Sequence, residues 1–362
     1  MKQLQAYRPL LFLCLLALMV NGCKDPDAAP DEDLTFAPAL ENYKLVVQGR
    51  YQAALNSTID LSATVSDFQT NVNQDNLLLM QQALKTAWLD WELASPYKFG
   101  VAETLDSHSK INTFPADTSA IASRVENGTW EGLNFDEMGF PSLDYLINGG
   151  ALEDFTTNDF AINRLNFLEE LASLLTADLT SLNVSWQSNE GNFVSQTGAS
   201  ATSSMSQLVN GLIADYEQLK RDKIALPLGL LTLDIPLPEH VECLFGEFSA
   251  ELARKHLRGI LDAYCGISVD GVNGVGLDDL LNDVDAFHEA SQSPLDQHIQ
   301  NQIQEALLAL DNVPDPLNVT IEESPELVEA AYVELQDIVI LLKSDMPSVL
   351  GISITFTDND GD

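Results

Sequence analysis

The sequence predicts an all-α protein, two helical-bundle domains packed together with a few short strands. Apolar residues recur at helical spacing in several long, separate segments. Alternation of period two is confined to two short stretches. With 362 residues and 45% hydrophobic content, the chain is long enough for two ordinary domains with buried cores. Long, one-sided helices bury their stripes best against one another, which is the logic of a bundle.

Met1 to Arg8 is short and basic, and Leu10 to Val20 is an apolar run of signal-peptide length. That run is too short to span a bilayer as a mature helix. It ends Val20-Asn21-Gly22-Cys23, a small residue before a cysteine, which resembles a bacterial lipobox. Residues 1–22 are therefore expected to be a lipoprotein signal peptide. Cys23 becomes the lipidated first residue of the mature chain and its anchor to the membrane. The alternative is a plain secretory signal in which Cys23 is incidental. Residues 23–34, rich in Asp, Ala and Pro, read as a disordered tether. Acidic residues just after the lipidated cysteine resemble the signal by which some Gram-negative bacteria carry lipoproteins to the cell surface. The expected location is the cell envelope, as an outer-membrane lipoprotein facing the periplasm or the exterior.

Residues 35–186 are expected to form the N-terminal bundle. One helix is predicted around Leu77–Trp91, and Leu165, Leu168, Leu171, Leu175, Leu179 and Leu182 mark another. Residues 187–204, rich in Ser, Asn, Gln, Gly and Thr, read as a linker. Residues 205–362 are expected to form the C-terminal bundle. Its stripes include Met205, Leu208, Val209, Leu212, Ile213, Tyr216 and Leu219, and later Leu327, Val328, Ala331, Leu335, Ile338 and Leu342. A further helix is expected from Glu247 to Tyr264, followed by a loop from Gly266 to Gly276. Leu230–Pro236 and Gly351–Phe356 look extended; the second alternates Ile352, Ile354 and Phe356 on one face.

The formal charge is −38, from 55 acidic against 17 basic residues. Such a surface repels nucleic acid, because neutralising phosphate needs Lys and Arg. It also disfavours anionic lipid headgroups. It suits a solvated exterior protein and attracts cations.

Zinc-protease chemistry needs two histidines one helical turn apart with a glutamate between them. His288-Glu289 opens that pattern, but Gln292 stands where the second histidine belongs. The histidines at 108, 240, 256, 288 and 298 are widely spaced and read as exposed or capping residues. No Gly-x-Ser-x-Gly elbow and no phosphate loop occurs. Asp358-Asn359-Asp360-Gly361-Asp362 looks like the opening of a calcium loop, but such a loop runs about twelve residues to a bidentate glutamate. It reads as a solvated acidic tail. Cys243 and Cys265 are the two cysteines left for pairing. A helix over 247–264 holds its ends roughly 27 Å apart, whereas a disulfide needs Cα atoms within about 7 Å. The geometry argues against the bond.

Several segments together resemble one family. They are Ala87 to Gly100 (AWLDWELASPYKFG), Ile111-Asn112-Thr113-Phe114-Pro115, Val209-Asn210-Gly211-Leu212, Lys223 to Gly229, Glu242 to Ser249, Leu257 to Gly266 and the end Gly351 to Asp362. Their order and spacing resemble the imelysin family, which is also catalogued as a peptidase family and is linked to bacterial iron uptake. The resemblance implies two helical bundles side by side, with a signature motif near the groove between them. That signature is Gly-x-His-x-x-Glu. Here it reads Gly139-Phe140-Pro141-Ser142-Leu143-Asp144, followed by Tyr145. Pro141 stands for the histidine and Asp144 for the glutamate. A pyrrolidine has no lone pair for a metal and cannot act as a base, while Pro does suit a first helical turn.

The resemblance and the altered motif imply a non-catalytic binding or accessory lipoprotein in iron or nutrient uptake. No catalytic residue, metal ligand or cofactor is expected. The expected ligand cleft comprises Gly139, Pro141, Asp144, Tyr145, Trp88, Trp91 and Glu242. Asp144 has an ordinary alternative as a helix-start charge, and Trp88 and Trp91 as core packing. An outer-membrane receptor or uptake protein is the expected partner. The competing readings are an interaction scaffold that docks a basic partner on its acidic face, and a metallopeptidase as the family's catalogue name suggests.

Overall fold

A computed structural model of the chain describes residues 35–355. The expected signal peptide, Cys23, the tether and the acidic tail lie outside the described residues. The fold is all-α, with one two-stranded antiparallel ribbon pairing Phe287–His288 with Ser293–Pro294.

Three long helices build the first half: α1 (Ala37–Thr70), α2 (Gln74–Ala94) and, later in the chain, α7 (Ala161–Ser195). Apolar residues at helical spacing, Tyr43, Val47, Tyr51, Ala54, Leu61, Val65 and Phe68, give α1 a fully buried face. It packs on both α2 and α7. Asn73 caps α2, its side chain accepting from the Asn76 N–H at 3.0 Å. Between α2 and α7 come four short helices: α3 (Val101–Thr104), α4 (Ser107–Asn112), α5 (Thr118–Asn127) and α6 (Gly139–Asn148). The second half holds α8 (Ser204–Gln218), a π-helical stretch over Leu219–Ala225, α9 (Leu226–Leu228), α10 (Ser249–Tyr264), α11 (Leu277–Asp283), α12 (Leu295–Asp311), α13 (Leu317–Glu323), α14 (Pro325–Ile340), a second π stretch over Leu341–Asp345 and α15 (Met346–Leu350). Helix α10 packs on α12, and α12 on α14. It also packs on α2, which joins the halves, so that one continuous apolar core runs through both.

Three sequence expectations need correction. Residues 187–195 are not linker: α7 continues to Ser195, and only residues 196–203 connect it to α8. Two large anchors seven residues apart hold that polar end of the helix. Trp186 and Phe193 share one face, meet at a ring-centroid distance of 5.0 Å, and both contact Phe99.

Leu230–Pro236 is a run of turns rather than a strand. With no neighbouring strand to pair with, its amides close locally: Thr232 and Asp234 donate to the Gly229 carbonyl, and Ile235 to that of Thr232. Gly351, at φ of +65°, caps α15, and residues 352–355 pair with no strand. The Asn210 side chain takes the part of one, donating to the Ser353 carbonyl and accepting from the Thr355 N–H.

The histidines divide. His108 and His256 are buried rather than exposed or capping. Cys243 and Cys265 are both buried free thiols. Among the described residues no helix is long and apolar enough to cross a membrane.

Candidate functional site

Helix α6 starts abruptly because Gly139 has φ of +76°, a conformation that side chains disfavour. A Cβ there would sit 2.3 Å from the Ile111 carbonyl oxygen. Glycine therefore lets α6 begin directly against the end of α4. Pro141 follows in the first turn, where its missing N–H breaks no hydrogen bond. Pro141 and Asp144 are both buried and line one wall of a cavity of about 400 Å³. The other walls come from Pro115, Ala116 and Thr118, and from residues 239–245 ahead of α10, which bring Glu239, His240, Glu242, Leu244 and Phe245.

Asp144 is saturated by neutral donors. Its Oδ1 accepts from the Asn148 amide at 2.8 Å and its Oδ2 from the Phe245 N–H at 3.0 Å. It thus pins the 243–248 segment against α6. Burial pushes its pKa up to about 6, against those hydrogen bonds.

Behind Glu242 lies a buried chain of charges. Lys223 donates to Glu92 Oε2 at 2.5 Å and contacts Glu242 Oε1 at 2.8 Å. Asn112 also donates to Glu242 Oε1, at 2.6 Å. His256 faces Glu92 Oε2 through Nδ1 at 3.1 Å and Asp215 Oδ2 through Nε2 at 2.5 Å. Ser95 donates to the other Asp215 oxygen at 2.5 Å. All of these side chains are at most 6% exposed. His108, 3.9 Å from Asp215, closes the chain; its Nε2 donates to the Ser95 carbonyl at 2.8 Å.

The electrostatics assign charges along this chain. Burial and the Lys223 ammonium oppose a charge on His256, but Asp215 and Glu92 outweigh them and raise its pKa to about 9. Burial likewise opposes the charges of Glu92, Asp215 and Lys223, and in each case the opposite charges beside it win. Glu92 and Asp215 stay below the usual carboxylate range and Lys223 above the usual ammonium range. Burial and nearby Lys98 hold His108 down to about 4, so its ring is neutral. Glu242 is the exception: burial and the Glu92 carboxylate push it up to about 7, against Lys223. One of its oxygens, Oε2, is buried with no hydrogen-bond partner.

The expected cleft residues separate accordingly. Pro141, Asp144 and Glu242 come together at the cavity, and Gly139 sets the helix that carries two of them. Tyr145 does not line it; its ring meets Phe245 at 5.2 Å and lines a smaller cavity with Arg164. Trp88 and Trp91 are core residues: Trp88 stacks on Phe140 at 5.4 Å, and Trp91 meets His108 at 5.1 Å. Aromatics at helical spacing found apolar neighbours first.

Sequence reasoning missed Glu92, Asp215, Lys223 and His256. A signal was present, because each falls on its helix's apolar stripe. Glu92 follows Leu84 and Trp88 by eight and four residues, and Lys223 follows Tyr216 and Leu219 by seven and four. A charge on such a stripe either finds a buried partner or breaks the helix packing. Lys223 also sits in the π-helical stretch, a deformation frequent at functional sites.

Known proteins bear on this arrangement in two ways. A model of the family described as imelysin, catalogued as peptidase M75, matches residues 47–342. Among solved structures, an iron-regulated protein A precursor from Parabacteroides distasonis ATCC 8503 superposes with a TM-score of 0.72 at 17% identity, covering 89% of this chain and 97% of that one. An imelysin-like protein from Psychrobacter arcticus 273-4 superposes with a TM-score of 0.70 at 18% identity, covering 88% and 96%. No curated protein matches. The structural likenesses share the helical fold, and with the family model spanning most of its length, the chain belongs to the imelysin family.

Proposed function

We propose that the protein is a non-catalytic binding component of the cell envelope, tethered through lipidated Cys23, whose cavity between α6 and the 239–245 segment receives a small ligand. The reading is carried by the motif position. Pro141 at the cavity wall supplies neither a metal ligand nor a base, and Asp144 spends both oxygens on protein donors. A hydrolase built on the family motif needs a group on α6 free to move a proton or hold a metal at the reacting bond, and Pro141 can do neither. Among the described residues no group of three or more His, Cys, Asp and Glu side chains converges in a way that could hold a metal ion. Iron or nutrient uptake is the setting proposed, supported by the family's association and by the name of the Parabacteroides neighbour.

The test is a pair of assays on the full chain. Peptide cleavage is measured with and without a chelator, and a thermal-shift screen covers small molecules of each charge class. The expected outcome is no chelator-sensitive cleavage and a ligand whose stabilisation is lost when the cavity is altered. Chelator-sensitive cleavage contradicts the proposal, and so does a screen in which nothing binds.

A further inference from the structure

The charge chain behind the cavity does not balance. Glu92, Asp215 and Glu242 are three carboxylates; Lys223 and His256 are the two cations in direct contact with them. His108 is neutral and Asn112 carries no charge. With all three carboxylates ionised, one negative charge is left over among side chains at most 6% exposed. An uncompensated buried charge is costly and is removed by a proton or by a counter-ion.

The surplus has a definite address. Glu92 lies between Lys223 and His256, and Asp215 is held by His256 and Ser95. Glu242 is the member at the cavity wall, 2% exposed; its carboxyl meets that of Glu92, and its Oε2 accepts no hydrogen bond from a protein donor. The cavity it borders is mixed, with carboxylates, apolar side chains, the Thr118 hydroxyl and the His240 ring in its walls. Asp144 and Glu239 add carboxylates, Pro141, Val241 and Phe245 add hydrocarbon, and no Lys or Arg lines it.

We propose that this cavity is a site for an organic cation, a protonated amine carried on an apolar body, whose N–H donates to Glu242 Oε2 and whose charge replaces the proton that neutralises Glu242 in the empty protein. The inference deepens the binding function proposed above and rests on it. An ammonium fits better than a metal ion, because it needs acceptors rather than three converging ligands, and both Asp144 oxygens are already taken. Its hydrocarbon part would lie along Pro141, Val241 and Phe245.

Exchange of a proton for a cation sets a sign. The groups facing Glu242 are Glu92 on α2, Lys223 on the π stretch, Asn112 on α4 and, around the cavity, Asp144 on α6 with Glu239 and His240 of its own segment. The balance of Glu92 and burial against Lys223 keeps Glu242 protonated up to about 7. Cation binding therefore releases a proton below that pH and weakens as the pH falls. Proton and ammonium compete for one oxygen, and no covalent step is involved.

The experiment is calorimetry on the full chain with n-hexylammonium, hexanoate and 1-hexanol, in buffers of different ionisation enthalpy. The expected result is that the ammonium binds at least about tenfold more tightly than its anionic and neutral counterparts. Its affinity falls about tenfold from pH 8 to pH 6, with a proton released to the buffer near pH 6. Glu242→Gln loses both the preference and the proton release.

Equal binding of the three compounds, pH-independent affinity in the unaltered chain, or unchanged binding by Glu242→Gln overturns the cation site. Binding of a neutral or anionic compound at the cavity does so too while leaving the binding function standing. A divalent ion that binds tightly and is lost in Glu242→Gln replaces the organic cation with a metal ion and overturns the proposal as stated. A chain that binds nothing of any charge removes the binding function itself.

Discussion

Asp144 on α6 and Glu242 ahead of α10 line one cavity, yet the fold surrounds them differently. Asp144 accepts on both oxygens from neutral donors, the Asn148 amide and the Phe245 N–H among them, and so clasps a loop to a helix. Glu242 shares one oxygen between Lys223 and Asn112 and leaves the other without a partner. The first carboxylate is finished by the protein and the second is not. Position in the family motif therefore does not tell which carboxylate is available to a ligand; the hydrogen-bond account of each oxygen does.

The contrast is tested most severely from behind Glu242. Lys223→Met removes the cation shared by Glu92 and Glu242 and leaves two buried carboxylates facing each other. We expect a loss of about 3–5 kcal/mol in denaturant unfolding, as for other broken buried pairs. A loss below about 1 kcal/mol would show that the chain of charges contributes little to the fold.

Asp144→Asn sharpens the other side. An amide there can satisfy only one of its two donors and turns its own N–H toward the other. A cost of about 1–3 kcal/mol is expected, with little change in the pH dependence of stability between pH 7 and 9, because the group titrates at about 6. A large change over that range would assign to Asp144 the role given to Glu242.

Glu242→Gln should cost least, within about 1 kcal/mol near pH 5, where the native carboxyl is already neutral. The pKa of Glu242 is raised in the folded chain from 4.5 to about 7. Its contribution to stability is therefore full below about 4.5 and is lost as the pH rises through about 7. His256, raised from 6.5 to about 9, loses its own contribution in the next window upward. Thermal unfolding from pH 5 to pH 8 should thus show the Gln variant gaining on the unaltered chain. Parallel profiles for the two proteins would contradict the assignment.

Much of the fold was legible because it is written in apolar stripes. The predicted helix around Leu77–Trp91 became α2, and the leucine series 165–182 lies in α7. Residues 187–195 misled because composition averages over a segment, while Trp186 and Phe193 alone hold that end of the helix in the core. The candidate site was legible only in part. Pro141, Asp144 and Glu242 were found through resemblance, and Gly139 through the same motif. Glu92, Asp215, Lys223 and His256 went unread because a stripe is recognised by its apolar members, and a charge on it is easily passed over as an interruption. Which charges meet across α2, α8, the π stretch and α10 depends on how those helices cross, and one-dimensional spacing carries no such information.

The most direct test is a carbon-13 NMR titration of the glutamate carboxyls in the full chain without ligand, with Glu242→Gln identifying the resonance. A midpoint near about 7 for Glu242 is the predicted result, the sign of a cavity-facing carboxylate that holds the surplus charge of the buried chain. A midpoint near the ordinary 4.5 would mean that the charge is balanced without it, and that nothing at the cavity awaits a cation.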